Sequence, residues 1–194
     1  MADRIRQMNR QGEPYGHTAV LYRTNAQSRV LEEMLMRAGV PYKVFGGQKF
    51  YDRKEVRDIV AYLRVIVNPA DDLSLKRIIN VPRRSIGEST VNELQEHARI
   101  QEMPLFSVLS DLPSSLASRP RKCVTEFFSL MTMLCALKES LPLVDFVKLL
   151  IEKTGLRAQY EGEDTEEARA RLENIDEFVG GVQEFAKLSD NASL

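Results

Sequence analysis

"VPYKVFGGQKFYDRKEVRDIVAYLR", residues 40–64, contains the change of pattern that sets the fold. Residues 40–46 form a short apolar run, opened by Pro41 and closed by Gly46-Gly47, that reads as a strand entering a turn. From Asp52 onward the spacing is helical. "DRKE" at 52–55 fits a capping box with Asp52 in the cap position, Val56, Ile59, Val60, Leu63 and Val67 share one face, and Asn68-Pro69 stops the run. Before this stretch, "HTAVLYR" at 17–23 reads as another strand. Between the two, Val30, Leu31, Met34, Leu35 and Ala38 recur at helical spacing, with Gly39 as the cap. Strand, helix and strand within about 30 residues make a βαβ unit, part of a parallel sheet. Two strands do not make a stable sheet, so their partners are expected elsewhere in a longer chain.

After residue 64 the pattern stays helical, with helices expected over 72–79, 89–101, 104–110, 120–139, 142–154 and 165–187 and a linker-like "LPSSLASRP" at 112–120. The expected fold class is mainly α: a small N-terminal α/β piece over residues 1–46, then an all-helical domain over 47–194. No stretch approaches the roughly 18 apolar residues that span a bilayer, and Met1–Gln11 reads as a charged amphipathic helix rather than a leader, so a cytoplasmic protein without a membrane partner is expected. Cys123 and Cys135 lie 12 apart in one helical pattern. That is about 18 Å of rise, beyond disulfide reach, and suits core thiols. His17 and His97 stand far apart in sequence with no nearby cysteine, so no metal site is expected.

The formal charge of −1 conceals a division. Residues 1–122 hold 20 Lys and Arg against 14 Asp and Glu, while residues 123–194 hold 7 against 14. A basic region beside an acidic one suits steering of a polyanion, and equally suits an inert surface. No phosphate-loop, nucleophile-elbow or HExxH motif is present, so no residue is assigned a catalytic role and the chain does not read as a complete enzyme.

Three segments carry chemistry. In "YRTNAQSR", 22–29, Arg23, Thr24 and Asn25 sit where the first strand gives way to its helix, the position at which open parallel sheets bind ligands. Guanidinium, hydroxyl and amide suit a phosphodiester, and Tyr22 can stack on a base. The plainer reading has Asn25 capping the helix and Tyr22 in the core. In "NVPRRSIGEST", 80–90, a basic turn runs into a helix start, where free amide groups can hold a phosphate and Arg83 and Arg84 can neutralise its neighbours. Lys76 and Arg77 add to a patch whose only acid over 76–90 is Glu88. The plainer reading is a capped helix with a solvated arginine pair. Between these segments Lys49, Arg53, Lys54, Arg57 and Arg64 interleave with Phe50 and Tyr51, at least one of which is expected in the core. The acidic stretch 161–177 reads as a solvated helix face, a docking surface for a basic partner, or an internal contact with residues 43–90.

"AVLYRTNAQSRVLEEML", "VPYKVFGGQKFYDRKEVRDIVAYLRVIVNPADD", "LKRIINVPRRSIGEST" and "GLRAQYEGEDTEEARARLENIDEFV" together resemble the UvrD/PcrA type of superfamily 1 DNA helicase, over most of the chain. The resemblance implies that residues 1–46 begin the second RecA-like subdomain, 2A, and that 47–194 form most of the helical 2B insertion. It implies a parent enzyme that moves 3′ to 5′ on one DNA strand using ATP and Mg2+, with this chain lacking the phosphate loop and binding no cofactor itself. By the same resemblance Tyr22, Arg23, Thr24 and Asn25 would contact single-stranded DNA. Arg83, Arg84, Ser85, Ile86, Gly87, Ser89 and Thr90 would hold duplex phosphates without reading sequence, and Gly46 and Gly47 would form the hinge. Implied partners are DNA, the missing lobes and accessory repair or replication proteins. A subunit of a related helicase-nuclease and a protein-interaction module are the other readings. One departure stands out: Ser85 occupies a position that is glycine in the family pattern, which would cost about 1 kcal/mol if the backbone there requires positive φ.

Overall fold

The helix expected after Asp52 runs from Lys54 to Val67 (α3) and forms the centre of the main core. Val56, Ile59, Tyr62 and Val65 on it are fully buried, and Ile66 nearly so. Val60 and Leu63 are only partly buried and Val67 is exposed, so the buried face extends well round from the expected stripe. The reason is that α3 is packed on several sides, and a helix so enclosed buries more than one stripe. Its start also differs from expectation. Asp52 belongs to a short 3-10 turn, Phe50–Asp52, and the cap residue is Arg53, with no side-chain capping bond. The fully buried Phe50 ring anchors that turn.

The computed structural model describes residues 1–45, 47–188 and 194, and of Asn25 only the backbone. Before α3 come α1 (Ala2–Arg10) and α2 (Ser28–Arg37); after it come α4 (Asp72–Ile78), α5 (Glu88–Ile100), α6 (Leu105–Val108), α7 (Ser118–Leu137), α8 (Leu143–Thr154), α9 (Ala158–Glu161) and α10 (Glu166–Leu188). α4 packs on α3, α10 on α8, α9 and α3, and α6 on α4 and α5. Asp71 caps α4 by accepting from Ser74 N at 3.0 Å, and Thr165 Oγ1 caps α10 by accepting from Ala168 N at 3.1 Å.

The βαβ unit is not formed. Among the described residues there is no strand: His17 closes a 3-10 turn, Tyr15–His17, and residues 18–22 and 40–45 run without ladder pairing. The apolar runs that suggested strands are real, but a strand exists only when its amides find a neighbouring strand, and two in isolation are marginal. Leu21 and Phe45 are accordingly left 92% and 81% exposed. Their neighbours Val20, Val40 and Tyr42 instead join Ala2, Ile5, Tyr15, Leu35 and Ala38 in a small apolar cluster, separate from the main core over α3–α10. Gly39, at φ +65, closes α2 as expected. Cys123 and Cys135 are both free thiols, partly buried against the main core.

Candidate nucleic-acid interface

The basic turn between α4 and α5 is built on a buried frame. Asn80 Oδ1 accepts from Arg84 N at 2.7 Å and Ile86 N at 3.3 Å, folding the turn around one side-chain carbonyl. Beneath it the Tyr62 hydroxyl donates to Val81 O at 2.6 Å, and burial pushes that phenol up to about 12. Ile86 is 1% exposed and its side chain plugs the core. Ser85, next to it, has φ +58, the left-handed region that favours glycine.

Gly87 then caps α5 with φ −77 and ψ 169 and no side-chain capping bond. Val91 N makes the first intrahelical bond, to Gly87 O at 3.1 Å, which leaves the amides of Glu88, Ser89 and Thr90 at a helix start without helical partners. A Cβ built on Gly87 would meet only Ser89 Oγ, at 4.0 Å. The space over the cap is open.

The four cations of this patch divide into two pairs. Lys76 and Arg83 are exposed. Arg77 turns inward, its Nε 2.8 Å from Asp58 Oδ1 with the N–H not aimed at the oxygen, and its Nη2 donates to Lys54 O at 3.3 Å. Arg84 also turns inward. Its Nη1 donates to Ile78 O and Pro82 O at 3.3 and 3.2 Å, its Nη2 donates to Thr154 O at 2.9 Å, and its guanidinium carbon lies 5.4 Å from the Phe127 ring centre and 5.9 Å from that of Tyr62. Ser89 is exposed and the Thr90 side chain is buried.

The second candidate loop, Tyr22–Asn25, lies before α2. Gln27 Oε1 accepts from Arg23 N at 3.0 Å and Thr24 N at 3.3 Å, so these amides are already satisfied. Arg23 is exposed, Tyr22 and Thr24 are half-buried, and the Asn25 side chain lies outside what the structure describes. Gly46 is likewise outside the described residues, and Gly47 is exposed.

Polar residues of α2 on which the sequence reading placed no role tie that helix to α10 and to the start of α3. Ser28, Arg29 and Glu32 occupy the buried face of α2. Arg29 is 3% exposed and donates to Glu177, Glu33 and Glu184 at 2.7, 2.9 and 2.9 Å. Burial pulls its pKa down, but the hydrogen bonds to Glu184, Glu177 and Glu33 outweigh this and raise it. Arg53 donates to Asn174 Oδ1 and Ser28 Oγ, both at 2.7 Å; Asn174 donates to Glu55 at 2.5 Å, and Glu32 accepts from Ser28 Oγ at 2.7 Å and Phe50 N at 3.1 Å. Of the acidic stretch 161–177, Glu177 thus pairs inside the chain, and Asp176 and Glu161 pair with Arg157 at 2.5 and 2.8 Å. The i,i+4 spacings of Arg29 with Glu33 and of Ser28 with Glu32 are signals of this network that the sequence carries.

The family of UvrD-like helicase C-terminal domains matches residues 1–193. The chain belongs to that family. It is 43% identical over 182 residues to an ATP-dependent DNA helicase PcrA of Staphylococcus aureus, and 42% identical over 183 residues to an ATP-dependent DNA helicase PcrA of Staphylococcus epidermidis. Each match takes in 93% of the chain, which spans 25% of the length of either relative. As a UvrD-like C-terminal region the chain has no helix, among its described residues, long and apolar enough to cross a membrane. Nor, among them, do three or more His, Cys, Asp or Glu side chains gather where they could hold a metal ion.

Proposed function

We propose that the chain is the DNA-orienting part of an ATP-dependent DNA helicase of the cytoplasm, holding duplex through backbone phosphates at the turn before α5. The observation that carries this reading is the open start of α5: amides without helical partners, Gly87 with only Ser89 Oγ near a Cβ built there, and Lys76 and Arg83 exposed on the segment that leads into it. Phosphate contacts of this kind position a protein on DNA and read no sequence. Residues 1–46 are the start of subdomain 2A and 47–194 most of 2B, a division supported by the two separate apolar clusters. In the parent enzyme, ATP hydrolysis belongs to lobes with which this chain partners.

Arg23 offers an exposed guanidinium to a phosphate, with Tyr22 beside it. The amides of Arg23 and Thr24 are taken up by Gln27, so the Arg23 guanidinium rather than these amides meets the phosphate. A single DNA strand is the phosphate source we favour; a nucleoside triphosphate shares the chemistry.

Fluorescence anisotropy of the chain with a duplex, a single strand and a 3′-tailed duplex tests the reading. Gly87→Ala, whose Cβ would meet only Ser89 Oγ at 4.0 Å, lowers duplex affinity roughly fivefold to tenfold, the worth of about one hydrogen bond to a phosphate, with a melting temperature only about 2–4 °C lower from the poorer cap. Duplex binding unaffected by Gly87→Ala would remove the turn from the interface. Arg23→Ala lowers single-strand affinity and leaves duplex affinity alone; a loss confined to nucleoside triphosphate binding would move that loop to the nucleotide.

A further inference from the structure

We infer that Arg84 and Asn80 are positioning residues that preform the basic turn, and that only Lys76 and Arg83 supply its charge to the duplex. The inference rests on the duplex-holding reading above and sorts the roles within it. Adjacent arginines in a basic turn look equivalent, yet the guanidinium of Arg84 serves three main-chain carbonyls from three places in the chain. Ile78 O lies at the end of α4, Pro82 O lies in the turn itself, and Thr154 O lies at the end of α8. A helix leaves its last carbonyls without partners, and a cation there also meets the negative end of the helix dipole. Arg84 therefore partners Pro82 O and Thr154 O, which would be costly to leave unpaired, and adds to Ile78 O, which already accepts from Val81 N at 2.9 Å, while the faces of Tyr62 and Phe127 flank its planar head.

The same turn is gripped from the other side. Asn80 holds the amides of Arg84 and Ile86, Ile86 is sunk in the core, and a Cβ on Gly155, which at φ +78 ends α8, would stand 3.8 Å from the Pro82 ring. With residues 80, 82, 84 and 86 all tied inward, the backbone at 85 has little freedom, and Ser85 accepts φ +58. The result is a turn set before any DNA arrives, which lowers the ordering cost of gripping a phosphate.

Charge-conserving replacement separates the two roles. A lysine can neutralise a phosphate as a point charge but cannot fork to separate carbonyls. Arg83→Lys keeps duplex affinity and Arg83→Ala flattens the log–log salt slope by about 0.9, the value per neutralised phosphate, from roughly −2 for the two exposed cations. Arg84→Lys keeps the charge but loses about tenfold in duplex affinity, with circular dichroism retained and the melting temperature lowered by only about 2–4 °C. Asn80→Ala, which removes two turn hydrogen bonds and no charge, shows a parallel loss. Trypsin supplies a readout independent of DNA, since it cuts after residue 84 in either form: the Arg84→Lys and Asn80→Ala chains are cut there faster than the unmodified chain. Unchanged cutting in both, or an Arg84→Lys chain that binds duplex as well as the original, overturns the inference. Faster cutting in a chain whose unmodified form binds no duplex leaves the buttress standing and sinks the duplex-holding reading instead.

Discussion

Ser85 shows how much one residue's backbone can carry. Its φ of +58 places a side chain in a region that L-residues enter at a cost of about 1 kcal/mol, and its neighbours on both sides are anchored. Ser85→Gly is therefore expected to raise the melting temperature by about 2–4 °C, as about 1 kcal/mol does in a chain of this size. A scanning-calorimetry trace with no rise, or a fall, would mean that the Ser85 side chain contributes an interaction that outweighs the strain. The departure from the glycine pattern was legible in the sequence; the sign of φ was not, because it depends on where Asn80, Arg84 and Ile86 are fastened. The same holds for the arginine pair. Nothing in "PRRS" says which guanidinium faces water, since the answer lies in carbonyls contributed by Ile78 and by Thr154, the latter 70 residues away.

At the scale of elements, helices were legible and strands were not, for one physical reason. A helix closes its hydrogen bonds within itself, so the 3.6 spacing over 54–67, 118–137 and 166–188 is enough to locate α3, α7 and α10. A strand needs an edge to pair with, and the runs at 17–23 and 40–46 carry a pattern without describing their partner. The join between α2 and α10 also escaped a reading by apolar spacing, because it is polar. There Gly181 is required by contact rather than by conformation: a Cβ would lie 3.0 Å from Arg29 Nη1 and 3.2 Å from its Cζ. Arg29 cannot retreat while Glu33, Glu177 and Glu184 hold it. Gly181→Ala is expected to destabilise the chain by about 1–3 kcal/mol despite alanine's better helix propensity. Gly180, whose Cβ would meet nothing within 4 Å, provides the control: Gly180→Ala is expected to stabilise by up to about 1 kcal/mol. Equal effects of the two substitutions in urea melts would show that Arg29 does not press on α10.

For the whole molecule the consequence concerns motion. A hinge at Gly46-Gly47 would let residues 1–45 swing against the helical body, but the polar network crosses that junction from both sides. Arg53 reaches back to Ser28, Phe50 N and Tyr51 OH donate to Glu32 and Glu33, and Arg29 reaches forward to Glu177 and Glu184. α3 carries this network at its start and the Tyr62 support of the basic turn nine residues on, about 13 Å along one rigid helix. The Tyr22–Asn25 loop and the basic turn are thus set relative to one another through α2 and α3. Spin labels at Met36 and Lys148, both exposed, in a chain with Cys123 and Cys135 replaced by alanine, are expected to report one narrow distance. Arg29→Ala together with Arg53→Ala removes the two buried cations and leaves Glu32, Glu55, Glu177 and Glu184 without them, with Arg37 still at Glu33, so the distribution broadens while the α3–α10 core still melts cooperatively. A broad distribution in the unmodified chain would instead mean that the network yields at room temperature and that the glycine pair does act as the hinge.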